Sequence, residues 1–67
     1  MIDRDEIVNE IIKAAGSQRA LADMLGLTHV AIHYWKRVPV RHVITLERAF
    51  DGRFPRHKIR PDYYPLQ

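Results

Sequence analysis

Two histidines four positions apart, His29 and His33, with Val30 and Tyr34 beside them, are the residues whose types and spacing could do chemistry in this chain. An imidazole donates and accepts hydrogen bonds, ligates metals and exchanges protons near neutral pH. The group therefore admits a metal site, an acid–base site or a surface for recognition. The i,i+4 spacing stacks both rings on one helical face, which suits metal ligands. A metal is nonetheless disfavoured: no third ligand is in view, cysteine is absent, and Val30 stands where a zincin helix carries its glutamate. The search for a nucleophile stops at Ser17, which has no Gly-x-Ser-x-Gly turn, glycine-rich phosphate loop or buried pair of carboxylates to work with. No enzymatic activity, cofactor or metal is expected, and recognition is the chemistry that remains.

Recognition requires that one helix present these side chains together. Thr28 caps a helix running to about Arg37, and at about 100° per residue from it Ala31, Ile32 and Trp35 fall within about 60° of one side. His29, Val30, His33 and Tyr34 fall opposite, where a soluble helix ordinarily carries Lys, Glu or Gln. Hydrogen-bonding rings with one aliphatic between them suit base edges and a thymine methyl in a major groove. Trp35 shares its side with Ile32 and reads as a core anchor rather than a stacking platform. A preceding helix, capped by Ser17, places Ala20, Leu21, Met24 and Leu25 on one apolar stripe with Ala22 to its side, small enough for a neighbour to cross closely. The two helices are joined only by Gly26 and Leu27, so they must cross steeply, as in a helix-turn-helix spanning 17–37. Arg19 and Asp23 form an exposed i,i+4 pair. Lys36 and Arg37 sit at the expected end of the second of these helices, where cations complement the dipole, and Arg37 also suits a phosphate.

The rest of the chain supplies the frame. Asp3 and Glu6 suit an N-cap, followed by Ile7, Val8, Ile11, Ile12 and Ala15 at helical spacing and a stop at Gly16. Pro39 opens a fourth helix through Val40, Val43, Ile44 and Phe50, ending near Asp51 and Gly52. A strand over 38–44 is the alternative there, because the segment is rich in β-branched residues. Pro55 opens a short turn to Ile59, and 61–67 reads as an extended tail. The expected fold is all-α: a single domain, 1–67, packed as a compact bundle of four to five short helices around a central helix-turn-helix.

Composition limits the alternatives. A chain of 67 residues hides only about 60% of its unfolded surface, too little for a substrate-engulfing pocket. Its formal charge of +3 is uneven: residues 1–27 carry −2, whereas 28–60 carry +6 from Lys36, Arg37, Arg41, Arg48, Arg53, Arg56, Lys58 and Arg60 against Glu47 and Asp51. Clustered cations of this kind suit a polyphosphate or simply a solvated face. The absence of cysteine gives no sign of an oxidising compartment. No apolar run approaches the roughly 20 residues of a membrane span. A bacterial cytosolic protein at the nucleoid, with no membrane partner, is the expectation.

The pattern Gln18-x-x-x-Ala22-x-x-x-Gly26-Leu27-x-x-x-x-Ile32-x-x-Trp35 resembles the lambda-repressor-like helix-turn-helix of the phage Cro repressors. Val38-Pro39, Leu46-Glu47-Arg48-Ala49 and Arg56-His57-x-Ile59-Arg60-Pro61-Asp62-x-Tyr64 extend the likeness to Cro/YdaS-type prophage regulators over nearly the whole chain. The resemblance implies binding to a double-stranded DNA operator and transcriptional repression, by a weak homodimer on a near-palindromic site. It implies that Gln18 and Arg19 touch the DNA backbone, that Thr28 sits at the groove edge, and that His29, Val30, His33 and Tyr34 face bases. Relatives often carry Gln, Ser, Asn or Lys at those outward positions, so the operator is this chain's own.

Two other classes make different demands on the same face. An antitoxin-type or other protein-partner-binding module would use Val30 or the tyrosine tail, with little salt dependence. An RNA binder would stack Tyr34 or His33 on single-stranded bases.

Overall fold

A computed structural model describes residues 4–66 and shows five helices among them and no strand: α1 (Glu6–Ala15), α2 (Gln18–Leu25), α3 (His29–His33), α4 (Val40–Ala49) and α5 (Arg56–Ile59). They fall into two compact units, Met1–Arg37 with α1 to α3 and Val38–Gln67 with α4 and α5.

In the first unit α1 buries Ile7, Val8 and Ile11, the one-sided spacing that its sequence carries. The capping role expected of Asp3 lies outside the described residues; Asp5 precedes the helix in extended conformation and its side chain makes no capping bond. The helix stops at Gly16, whose φ of 108° disfavours any side chain, and whose N–H reaches the Ile12 and Lys13 carbonyls. Ser17 then caps α2, its Oγ accepting the Ala20 N–H at 3.0 Å.

The buried side of α2 is rotated from the expected stripe. Leu21 and Ala22 are fully buried, Leu25 and Ala20 are half-buried, and Met24 is 44% exposed. Leu21 and Ala22 are separated by about 100°, so a face centred between them takes in Leu25 and leaves Met24 at its rim. Ala22 thus lies in the contact itself rather than beside it. α2 ends at Gly26 in the left-handed conformation, with the Leu27 N–H bonded to the Ala22 carbonyl at 2.8 Å. That is the six-to-one bond of a Schellman ending.

α3 is shorter than the sequence suggested. Thr28 caps it, Oγ1 accepting the Ala31 N–H at 3.3 Å, but the helix closes at His33 instead of running to about Arg37. The last turn tightens through Trp35 N–H to the Ile32 carbonyl at 3.0 Å. Pro39, without an N–H, could not have continued the ladder, and the His33 carbonyl is engaged by Arg4.

In the second unit residues 40–49 are helical, which excludes the strand considered for 38–44. Val38, Val43 and Leu46 are fully buried, joined by Phe54 and Ile59. The chain leaves α4 through Asp51 and Gly52, at φ 55° and 79°. Phe54 then meets Phe50 edge-on, with ring centroids 5.2 Å apart. α5 follows Pro55 as expected, and its missing N-cap is supplied from α4: Glu47 Oε2 accepts the Arg56 N–H at 2.7 Å. The tail is not extended from its first residue. Tyr63 and Tyr64 donate their N–H groups to the Arg60 carbonyl, so a turn comes first. Pro61 permits it because its fixed φ also fits a helical turn.

Candidate nucleic-acid interface

Each end of α3 is set by a local cap or an imported one, and its two sides are chemically opposite. Ile32 is fully buried and Trp35 is 8% exposed, whereas Val30 is 51% and Tyr34 67% exposed. Thr28, His29 and His33 are exposed as well. The outward surface is continuous: Val30 and Tyr34 are one turn apart, and the Tyr34 ring meets the His33 imidazole edge-on at 5.1 Å. An exposed face of rings and a branched aliphatic carries no carboxylate, so nothing on it opposes an anion.

Gln18 opens α2 and is half-buried, and Arg19 beside it is exposed. Both sit in the first turn of the helix against which α3 packs. Lys36 and Arg37 are exposed but lie beyond the end of α3, so they do not complement its dipole from a last turn. They occupy the bend between α3 and Pro39 instead.

One residue of the site has no local signature. Arg4 Nη2 donates to the His33 carbonyl at 2.7 Å, and the neighbouring Asp5 N–H donates to the Lys36 carbonyl at 2.8 Å. The segment ahead of α1 thereby grips the chain at both ends of the bend that follows α3. A single arginine before an amphipathic helix carries no pattern that would have shown this.

The basic run from 28 to 60 also divides in two. Arg56 is bound by Glu47 through Nη2 at 2.8 Å and lies over the Tyr64 ring. Hydrogen bonds from the Arg56 side chain and backbone hold the Glu47 carboxyl below its ordinary range. Arg60 reaches both the Asp62 carboxylate and the Val38 carbonyl, the latter at 2.8 Å. These two cations brace the second unit. Arg53 lies over the Phe54 ring, while Arg48 and Lys58 are exposed. Arg41 Nε approaches His42 Nε2 at 3.4 Å, and partial burial, with Arg41 beside it, lowers the His42 pKa below 6.5.

Among the described residues there is no cluster of three or more His, Cys, Asp or Glu that could hold a metal, and no helix long and apolar enough to cross a membrane. The family model described as bacterial toxin YdaS matches residues 8–67. No curated protein and no solved structure matches the chain.

Proposed function

The chain belongs to the family described as bacterial toxin YdaS, and from its exposed α3 face we propose that it is a sequence-specific, double-stranded-DNA-binding transcriptional regulator. The observation that supports this reading is the pairing of exposed His29, Val30, His33 and Tyr34 with buried Ile32 and Trp35, on a short helix and the turn that ends it, joined to α2 through Gly26 and Leu27. Such a helix offers base-reading groups on the side its neighbours leave open. Gln18 and Arg19 in the first turn of α2, and Lys36 and Arg37 after α3, hold the phosphates on either side. Thr28 meets the groove edge. The regulator acts as a Cro-type repressor in the bacterial cytosol, with no enzymatic activity of its own.

A monomer spans few bases, so two copies bind together, their reading helices about 34 Å apart on one face of the duplex. The homodimer is weak in free solution and completed on DNA. The decisive experiment is selection of binding sites from random duplexes, followed by titration at several salt concentrations. A palindromic consensus with affinity falling steeply in salt is expected. No enriched sequence would overturn the reading.

Within a selected site, His29→Ala should cost about 1 to 3 kcal/mol and relax preference at one base position, whereas Arg37→Ala should weaken all duplexes alike and lower the salt slope by about one. Electrophoretic mobility shifts on matched and scrambled duplexes separate the two effects.

The family's description as a toxin favours a second reading within the protein-partner-binding class, a module that arrests growth by binding another protein rather than an antitoxin. Leu66 is 76% and Tyr63 59% exposed, which gives such a partner an apolar contact. Under that reading growth arrest on expression persists in His29→Ala and is lost when Tyr63 and Leu66 are replaced by Ser; under the DNA reading the pattern is reversed.

A further inference from the structure

A reading helix works only if its side chains leave it at a fixed angle, and α3 cannot fix itself. It has five residues, and isolated helices below roughly 12 to 15 residues are marginal in water. Its N-terminus is held by Thr28, but its C-terminus has no glycine cap: Tyr34 follows at φ −91° and ψ 2°. The last carbonyls of a helix need donors from somewhere. Here the donor comes from the far end of the unit. Arg4 Nη2 reaches the His33 carbonyl at 2.7 Å, and Asp5 N–H reaches Lys36 O at 2.8 Å. The guanidinium also places positive charge at the negative end of the helix dipole.

We propose that Arg4 is a positioning residue for the reading surface: through the His33 carbonyl it fixes the direction in which His33 and Tyr34 leave α3. The assignment rests on the DNA-binding function proposed above. It differs from a phosphate contact in that the Arg4 Nη2 donor is engaged by backbone at the end of α3. Losing the bond frees the last turn, so the rings at 33 and 34 sample several directions and a matched duplex loses its advantage over a scrambled one. Binding to any duplex through exposed cations is untouched.

The test measures the affinities of matched and scrambled duplexes, each as a function of salt, for the full chain and for Arg4→Met, Arg4→Gln and Arg4→Lys. Arg4→Met is expected to lower the preference for the matched duplex about tenfold, the equivalent of one lost hydrogen bond to a charged donor, with the scrambled affinity and the salt slope unchanged. Arg4→Lys keeps the charge and a donor one bond short of Nη2 and should retain most of the preference, whereas Arg4→Gln, whose amide is two bonds short, should lose it as Met does. Should Arg4→Met fail to fold, as judged by circular dichroism, Arg4→Gln takes its place beside Arg4→Lys. Preference lost in Gln while Lys retains it supports the brace, and preference retained in Gln overturns it. An equal loss on both duplexes, with a shallower salt slope, makes Arg4 a phosphate contact and overturns the proposal. A preference untouched by Arg4→Met overturns it too. If the unaltered chain shows no preference between duplexes, the DNA reading itself falls.

Discussion

Buried and exposed side chains alternate over single residues along α3 and the turn that ends it, and their energetic consequences differ by an order of magnitude. Trp35, at 8% exposure, fills space that no smaller side chain would occupy, while Tyr34 next to it is 67% exposed. Trp35→Ala should therefore cost about 3 to 5 kcal/mol of stability, as large aromatic truncations in cores do. Tyr34→Ala should lie within about 0.5 kcal/mol of the unaltered chain. Urea unfolding checks both, and a large loss at Tyr34 would mean that the ring packs rather than projects. The sequence reading anticipated this contrast because a helical period of 3.6 assigns neighbouring positions to different sides wherever a helix forms. It did not anticipate Met24, because an apolar side chain at a stripe's edge is assigned inside or outside by the partner helix rather than by its own.

Helix ends decide how the elements meet. Ser17 and Thr28 each accept a backbone N–H three residues on, and Gly26 turns the chain with φ 70°. A Cβ built at Gly26 meets nothing within 4 Å, so substitution there tests conformation alone. Gly26→Ala should destabilise by about 1 to 2 kcal/mol, the cost of holding an L-residue in the left-handed region. A urea midpoint unchanged by the substitution would show that the turn adapts. α5 illustrates the opposite case, since its first N–H is satisfied by Glu47, nine positions earlier. Glu47→Ala, which leaves no acceptor for the Arg56 N–H, should consequently loosen α5 before it disturbs α4, seen as faster amide exchange at Lys58 and Ile59 than within α4. Capping by a nearby Ser or Thr is legible in a sequence; capping by a residue on another helix is not.

At the scale of the molecule, charge is organised by unit. Acids and bases balance over 1–37, and the excess of +3 resides in 38–67, where Arg56 and Arg60 are tied to Glu47 and Asp62. The overall basicity thus overstates what is offered to a polyanion. Acid dependence follows from the same placement. Burial lowers the His42 pKa from 6.5 in the folded chain, so below that pH the unfolded chain binds the extra proton first. Stability attributable to His42 is complete above pH 6.5 and is lost as the pH falls below it. The depressed Glu47 acts in a lower window, its stabilisation present above pH 4.5 and lost below. Thermal melts between pH 8 and 5 should show a decline starting near 6.5 that His42→Asn removes; an identical decline in that variant would assign it elsewhere.

The sequence by itself determined the helices, their caps at Ser17 and Thr28, the stop at Gly26 and the outward set of His29, Val30, His33 and Tyr34. All of these depend on residues within a turn or two of one another, where spacing and backbone preference act directly. Tertiary structure decided where α3 ends, which side of α2 is buried, and which arginines are engaged. Those outcomes depend on groups brought together by folding: Arg4 meets His33 across 29 positions and Arg60 meets Val38 across 22. A carbonyl left open by a short helix accepts whichever donor the packed chain delivers, and no local pattern names that donor.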